Sequence, residues 1–380
     1  MALVLTEDQQ MLKEAAKGFI ADTAPASEFR KLRDAGEGHN AELWQQMAEL
    51  GWSAVAVPEA YDGLEFGITG LGLIAIEAGR HLVASPLITT AAIGVSALVL
   101  GNSEETRQRI LPAVATGQTL VALAIDENNH HDPLYTSLAA KPAEHGGYVL
   151  DGNKIFVAEG NYADFYVVVA RENGNSSDDS SDNFVVLLVD ANAAGLRKTA
   201  VKLMDSRDYA NLEFSGVVVP EADVLAKGEA AEAVVQNIVD VATVMAACEL
   251  YGCAQQTFKH TIQYLTEREQ FGQVIGTFQA LQHRAAHAFA QLQLLKSVIL
   301  DALDAAENSR ADLAIAASHA KALANDTAQL ITNEAIQMHG GIGLTDELDI
   351  GLYFKRVRVL RNTFGNTSYH RRRFARLSGY

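Results

Sequence analysis

Cysteine is nearly absent from this 380-residue chain: the two present, Cys248 and Cys253, lie close together in a helical stretch. Their spacing is neither CxxC nor a metal-ligand pattern, so reduced, buried thiols are expected and a disulfide framework or a metal site is not. Positive charge is scarce as well. Against 47 Asp and Glu stand only 30 Lys and Arg, a formal net charge of −17 that repels phosphate backbones, so no nucleic-acid partner is expected. With 7 prolines and 48% hydrophobic residues the chain fits neither a disordered nor a fibrous class. The opening MALVLTEDQQMLKEAAKGFI lacks the basic and apolar regions of a signal peptide. The longest apolar-leaning stretch, near Ile88 to Leu100, falls short of the ~20 residues that span a bilayer. A cytoplasmic chain without a membrane partner is expected.

What is there sorts into three textures, as the length predicts. Residues 1–118 read as helices, the first opened at Thr6 by a capping box with Gln9. Gly72 to Leu82 and Thr89 to Leu100 continue the helical pattern. Across 119–222 the period becomes that of strands: LVALAID, YVLDG, DFYVVVAR, FVVLLVD and NLEFSGVVV are β-branched or aromatic runs broken by Gly, Asn and Asp. ENGNSSDDSSDN (Glu172 to Asn183) is polar and acidic, a hairpin tip rather than a site. From 223 to 380 the pattern is helical again, over Ala231 to Glu269, Leu281 to Asn308 and Ala311 to His339. The expected fold is an α+β multidomain chain: an N-terminal α-helical domain, a central β-barrel or sandwich, and a C-terminal four-helix bundle. The cationic end, His370 to Arg376, reads as a solvated helix terminus complementing the dipole.

Two segments carry chemistry. In TEREQFGQVIGTFQALQHRAAHAFA (Thr266 to Ala290) a helix ends, Gly272 and Gly276 turn the chain, and another helix begins near Phe278. Arg268 offers a planar donor fork suited to a pyrophosphate, although pairing with Glu267 or Glu269 is the commoner fate of such an arginine. In QMHGGIGLTDELDIGLYFKRVRVL, Gly340 and Gly341 permit close backbone approach to a ligand, with Gln337 beside them. Glycine pairs between helices are more often plain turns.

In this order and separation the two segments resemble the acyl-CoA dehydrogenase family, with its R-x-x-F-G…G-x-x-Q-A and Q-x-x-G-G-x-G segments. GLIAIEAGRHLVASPLIT (Gly72 to Thr89), NSEETRQRILPAVATGQTLVALAIDE (Asn102 to Glu127) and YVLDGNKIFVAEGNYADFYVVVAR (Tyr148 to Arg171) are similar to further family stretches. The resemblance covers essentially the whole chain. It implies FAD between the β domain and the C-terminal helices, completed by a neighbouring subunit. Arg268, Phe271, Gln279, Gln337, Gly340 and Gly341 match the pyrophosphate and adenosine half. Phe156 matches the aromatic flanking the flavin ring. Ala158 stands where the family usually has a hydrogen-bonding Thr, and Ile125 to Asp132 lacks the usual Gly-Ser turn.

The resemblance also implies a carboxylate base that takes an α-proton from an acyl-CoA thioester while hydride leaves the β-carbon. The family's usual Glu is replaced here by Phe364, and its second location, on the long helix before the Arg motif, by Ala242. Glu249 lies two helical turns further, on nearly the same face, ~10 Å along. Its placement resembles the Glu of heteromeric dehydrogenases acting on steroid side chains. The alternative is a helix carboxylate satisfied by a neighbouring donor. Asp240 matches a family Asp near the adenine end of CoA, and Thr243 replaces an Arg often found there. The ending FGNTSYHRRRFARL resembles small subunits of two-subunit dehydrogenases such as the pimeloyl-CoA type. An electron-transfer flavoprotein and either a homo-oligomer or a heterotetramer with a second dehydrogenase subunit are the implied partners. A non-catalytic subunit completing its partner's FAD site is the competing expectation. The superfamily's DNA-binding branch has only the Arg371 to Arg373 cluster in its favour.

Overall fold

The computed structural model describes residues 4–172 and 183–380; most of the ENGNSSDDSSDN connection lies outside the described residues. Six helices come first: α1 (Glu7–Thr23), α2 (Ala26–Ala35), α3 (Ala41–Glu49), α4 (Ile68–His81), α5 (Val95–Leu100) and α6 (Glu104–Ala115). Eight strands follow: β1 (Val121–Ala124), β2 (Ala139–Pro142), β3 (Tyr148–Ala158), β4 (Phe165–Glu172), β5 (Phe184–Asp190), β6 (Leu196–Lys202), β7 (Asp208–Val219) and β8 (Val224–Lys227). The chain closes with α7 (Gly228–Glu267), the hairpin β9 (Glu269–Gln270) and β10 (Gln273–Val274), α8 (Gln279–Glu307), α9 (Leu313–His339), α10 (Ile350–Leu360) and α11 (Thr367–Leu377). Helices, then a β domain, then helices is the predicted order.

Local chemistry explains the boundaries. Thr6 caps α1 through a complete capping box, its hydroxyl accepting from the Gln9 amide and the Gln9 side chain accepting from the Thr6 amide. Thr89 to Leu100, expected as one helix, divides instead into a π-helical stretch, Leu87–Gly94, and the short α5. The 40-residue α7 corrects the expectation that Ile88 to Leu100 is the longest apolar stretch. It has an 18-residue window long and apolar enough to cross a membrane, but 83% of that window is buried by the rest of the protein, as in a core helix. Cys248 and Cys253 are free and buried on it.

The chain forms two compact units. One comprises Leu32–Leu71 and Ala84–Ala242. Its sheet is mixed and eight-stranded, in the order β6-β7-β3-β2-β4-β5-β8, with β1 joining β4 in parallel. Every position of β5 except its last is buried, so both faces of that strand are covered. Tyr166, Val168, Leu187 and Phe214 lie in its apolar core. β2, β6 and β8 are strands that the hydrophobic pattern does not announce.

The other unit comprises Met1–Lys31, Gly72–Val83 and Thr243–Tyr380. Here α4 and α7 pack backbone to backbone. A methyl at Gly79 would meet the Glu249 carbonyl at 2.4 Å, and one at Gly252 would meet the Ile76 carbonyl at 2.0 Å, so only glycine allows this separation. The Cys253 thiol donates to the Gly79 carbonyl at 3.3 Å. Lys321, fully buried on α9, donates to the Leu360 and Gly365 carbonyls at 2.9 and 3.1 Å, which pins the turn between α10 and α11. The cationic end is partly engaged rather than wholly solvated: Arg371 pairs with Asp326, and the buried His370 contacts the Phe364 carbonyl through Nε2 at 2.8 Å.

Candidate active site

Within the helical unit the two glycine-bearing segments meet. Arg268 follows the last residue of α7, and its carbonyl accepts from Ile275 at 2.8 Å, closing the β9–β10 hairpin. The hairpin turn is Phe271-Gly272 with φ of 57° and 77°, the sign pattern of a type I′ turn. A phenylalanine in the left-handed region is strained, and this one is 88% exposed. One turn before Arg268, Tyr264 stacks on His339 with ring centroids 4.4 Å apart and donates to the His339 carbonyl. Beneath them, Leu265, Ile275 and Met338 form a small apolar cluster with Phe278 and Leu281.

Arg268, Phe271, Gln279, Gln337, Gly340 and Gly341 are all exposed. Gly340 has φ 65° and ψ −139°, a conformation suited to glycine, and nothing stands within 4 Å of where a Cβ would lie at Gly340 or Gly341. Gln279 opens α8, whose N-cap, Phe278, makes no side-chain cap hydrogen bond. An uncapped helix start, an exposed guanidinium and two glycines open to close approach are parts an anionic phosphate group can use, although the Gly340 amide itself donates to the Gln337 carbonyl. These six residues fit the pyrophosphate half of FAD.

Phe156 belongs to the β unit and is described within it. It sits where β3 slips register against β7 between Lys154 and Val157, with φ 54° and 41% exposure. Its amide donates to Asn211 Oδ1 at 3.1 Å. The bulge turns an aromatic ring outward from a strand whose neighbouring positions face the core. Ala158 closes the same strand without a side-chain donor.

Beside that bulge is a cluster that sequence reasoning missed. Lys154, wholly buried, donates to Glu127 at 2.7 Å, to Thr136 Oγ1 at 2.9 Å and to the Ile125 carbonyl at 3.1 Å. Glu127 also accepts from the amides of Ser137 and Leu138 at 2.7 and 2.9 Å. Burial pushes this carboxyl up, but the Lys154 charge and the hydrogen bonds from lysine and hydroxyls outweigh it and hold the group at about 2. The Asp126 carbonyl accepts from Ile155, and the Asp126 carboxylate contacts His131 Nδ1 at 3.0 Å. The 125–138 loop thus has a polar frame without a Gly-Ser turn. The signal was present: a lysine stands at an inward position of β3.

Glu249 lies on α7 and is 5% exposed. Arg356 of α10 grips it with both arms, Nε to Oε1 at 2.7 Å and Nη2 to Oε2 at 2.9 Å. This is the neighbouring donor that the alternative reading of Glu249 requires. Arg356 is 107 positions away, so no local motif announced it. Ala242 is fully buried and Phe364 half-buried with φ 54°. Asp240, also on α7, is buried. Among the described residues no cluster of His, Cys, Asp and Glu could hold a metal.

The helical, β, helical order is the three-domain architecture of a family of oxidoreductases. Family models name it. The acyl-CoA dehydrogenase N-terminal, middle and C-terminal domain models match residues 6–118, 122–217 and 232–378, and the chain belongs to this family of oxidoreductases. It is 27% identical over 384 residues to the probable acyl-CoA dehydrogenase YngJ of Bacillus subtilis (strain 168), covering 99% of each chain. It is 28% identical over 353 residues to acyl-CoA dehydrogenase IpdE2 of Mycobacterium tuberculosis (strain ATCC 25618 / H37Rv), covering 92% of this chain and 91% of that one. Among solved structures, a variant of the Tcur3481-Tcur3483 steroid ACAD superposes with a TM-score of 0.88 at 28% identity, covering 98% of each chain.

Proposed function

We propose that this chain is an FAD-dependent subunit of an acyl-CoA dehydrogenase, working in a heterotetramer with a second dehydrogenase subunit and passing electrons to an electron-transfer flavoprotein. The observation that carries the reading is the exposed assembly of Arg268, Phe271, Gln279, Gln337, Gly340 and Gly341. All six are exposed, and nothing stands within 4 Å of where a Cβ would lie at Gly340 or Gly341, so a pyrophosphate could approach the backbone closely there. An exposed, strained Phe271 at its edge is the kind of group that a partner or cofactor covers. FAD bound there supplies the acceptor for the hydride leaving the thioester β-carbon. Glu249 accepts the α-proton, and the two-armed contact with Arg356 fixes its carboxylate in direction. Phe156 flanks the flavin ring, and Asp240 lies toward the adenine end of CoA. The two-protein name of the Tcur3481-Tcur3483 relative supports a paired assembly.

The reading is tested by purifying the protein alone and with the product of a neighbouring dehydrogenase gene. A flavin absorbance band that bleaches on adding an acyl-CoA is expected. Colourless protein in both preparations rejects the proposal. The bidentate Glu249–Arg356 pair favours a second reading, in which this subunit is non-catalytic and completes its partner's FAD site. Turnover of the complex unchanged by Glu249→Gln selects that second reading.

A further inference from the structure

The helical unit holds a cavity of about 500 Å³ that includes neither Glu249 nor any of the cofactor-matching residues. It lies among the start of α1, α4, the middle of α7, and α8, and its size falls within the ~300–1,000 Å³ range of small-molecule sites. Leu73, Ile299 and Leu300 give it apolar walls, and Glu77, Arg80 and Tyr251 give it a polar floor.

That floor is incompletely satisfied. Glu77 is 1% exposed, and Arg80 reaches it only loosely: Nη1 is 3.4 Å from Oε1 and 3.3 Å from Oε2. Neither Glu77 Oε2 nor Arg80 Nε makes a hydrogen bond. The buried Tyr251 hydroxyl accepts from Gln255 at 3.0 Å, which leaves its own proton to donate. Burial pushes the Glu77 carboxyl up, against the opposing charge of Arg80. The unspent donors of the floor are thus Arg80 Nε and the Tyr251 hydroxyl, beside one unspent acceptor, Glu77 Oε2, and groups like these are not left buried without a partner at no cost. Lys13 and Lys296 add positive charge, against Glu7, so cations outnumber ionised acids around the opening. Apolar walls, a donor-rich floor and a cationic surround select a ligand with an aliphatic body and one anionic acceptor group.

We propose that this cavity is a second ligand site for an aliphatic monocarboxylate, its carboxylate held by Arg80, Tyr251 and Lys13 and its chain lying along Leu73, Ile299 and Leu300.

The experiment is calorimetric titration of the purified full chain with octanoate, using 1-octanol and octylamine as neutral and cationic controls. Saturable octanoate binding with a Kd of about 0.1–1 mM is expected, with both controls much weaker. Tyr251→Phe, which removes one donor and keeps the shape, should weaken octanoate about tenfold. Leu300→Trp, which fills the cavity, should abolish binding while thermal unfolding confirms a folded chain. Should that variant not fold, Lys296→Met at the exposed rim must still weaken octanoate and leave octanol unchanged. Octanol binding as tightly as octanoate overturns the proposal, as does octanoate binding that survives Leu300→Trp at the acyl-CoA site. Absence of saturable binding, whether the cavity stays empty or a second copy of the chain fills it, also overturns it.

Discussion

Glu127 in the β unit and Glu249 in the helical unit are both acids with largely covered side chains facing a cation, yet their settings differ. Glu127 gathers donors from Lys154, Thr136, Ser137 and Leu138, two of them backbone amides, so its oxygens hold a loop to a strand. Glu249 is gripped by the fork of one side chain on another helix. Backbone amides cannot withdraw without moving the loop, whereas a guanidinium on a long side chain can. A carboxylate tied into the backbone reads as a staple. One held by a side chain across a helix interface can lose that partner through a change of rotamer alone.

The comparison breaks first at Lys154. Lys154→Met leaves Glu127 buried without its counter-charge, and a loss of about 3–5 kcal/mol in urea unfolding is expected. Adding Glu127→Gln should recover part of that loss, and no recovery would show that the pair is not the staple. Next is Glu249→Gln, which keeps shape and a hydrogen-bonding group. If Glu249 is the base, turnover in the assembled complex falls by about 10²–10⁴-fold, while the unfolding midpoint moves far less than for Lys154→Met. Acid sharpens the contrast further. A carboxyl held at about 2 when folded contributes stability above its unfolded value of about 4.3 and loses it as pH falls toward 2. Acid unfolding should therefore steepen between those values in the parent and flatten in Glu127→Gln, as followed by circular dichroism. The smallest expected effect on stability is at Phe271. Phe271→Ala removes an exposed aromatic ring and leaves the left-handed backbone strain in place, should change unfolding by less than about 0.5 kcal/mol, and should lower flavin retention on gel filtration.

Legibility in the sequence followed the range of the interactions. The capping box at Thr6, the long helices and the apolar strands β4, β5 and β7 are local patterns, and the structure has them where they were read. The turns at Gly272 and Gly340 were legible for the same reason, since their own neighbours specify them. What stayed hidden was short or distant. β6 is mostly exposed along LRKTAVK and shows no apolar alternation, while β2 and β8 have four residues each. The π-helical turn at Leu87–Gly94 has the composition of an α-helix. Arg356 meets Glu249 only because two helices from opposite ends of the last third pack together. The cavity floored by Glu77 needs α1, α4, α7 and α8 at once, which no linear motif encodes.

The backbone contact at Gly79 gives α4 a reach beyond its own residues. That helix carries none of the residues matched to cofactor or base, yet a single methyl on it would press on the carbonyl of Glu249 itself. If Glu249 is the base, a screen for impaired turnover should therefore return substitutions at Gly79 and Gly252 alongside those at Glu249, and a naive map of such hits would spread the active centre onto a helix that carries none of its groups.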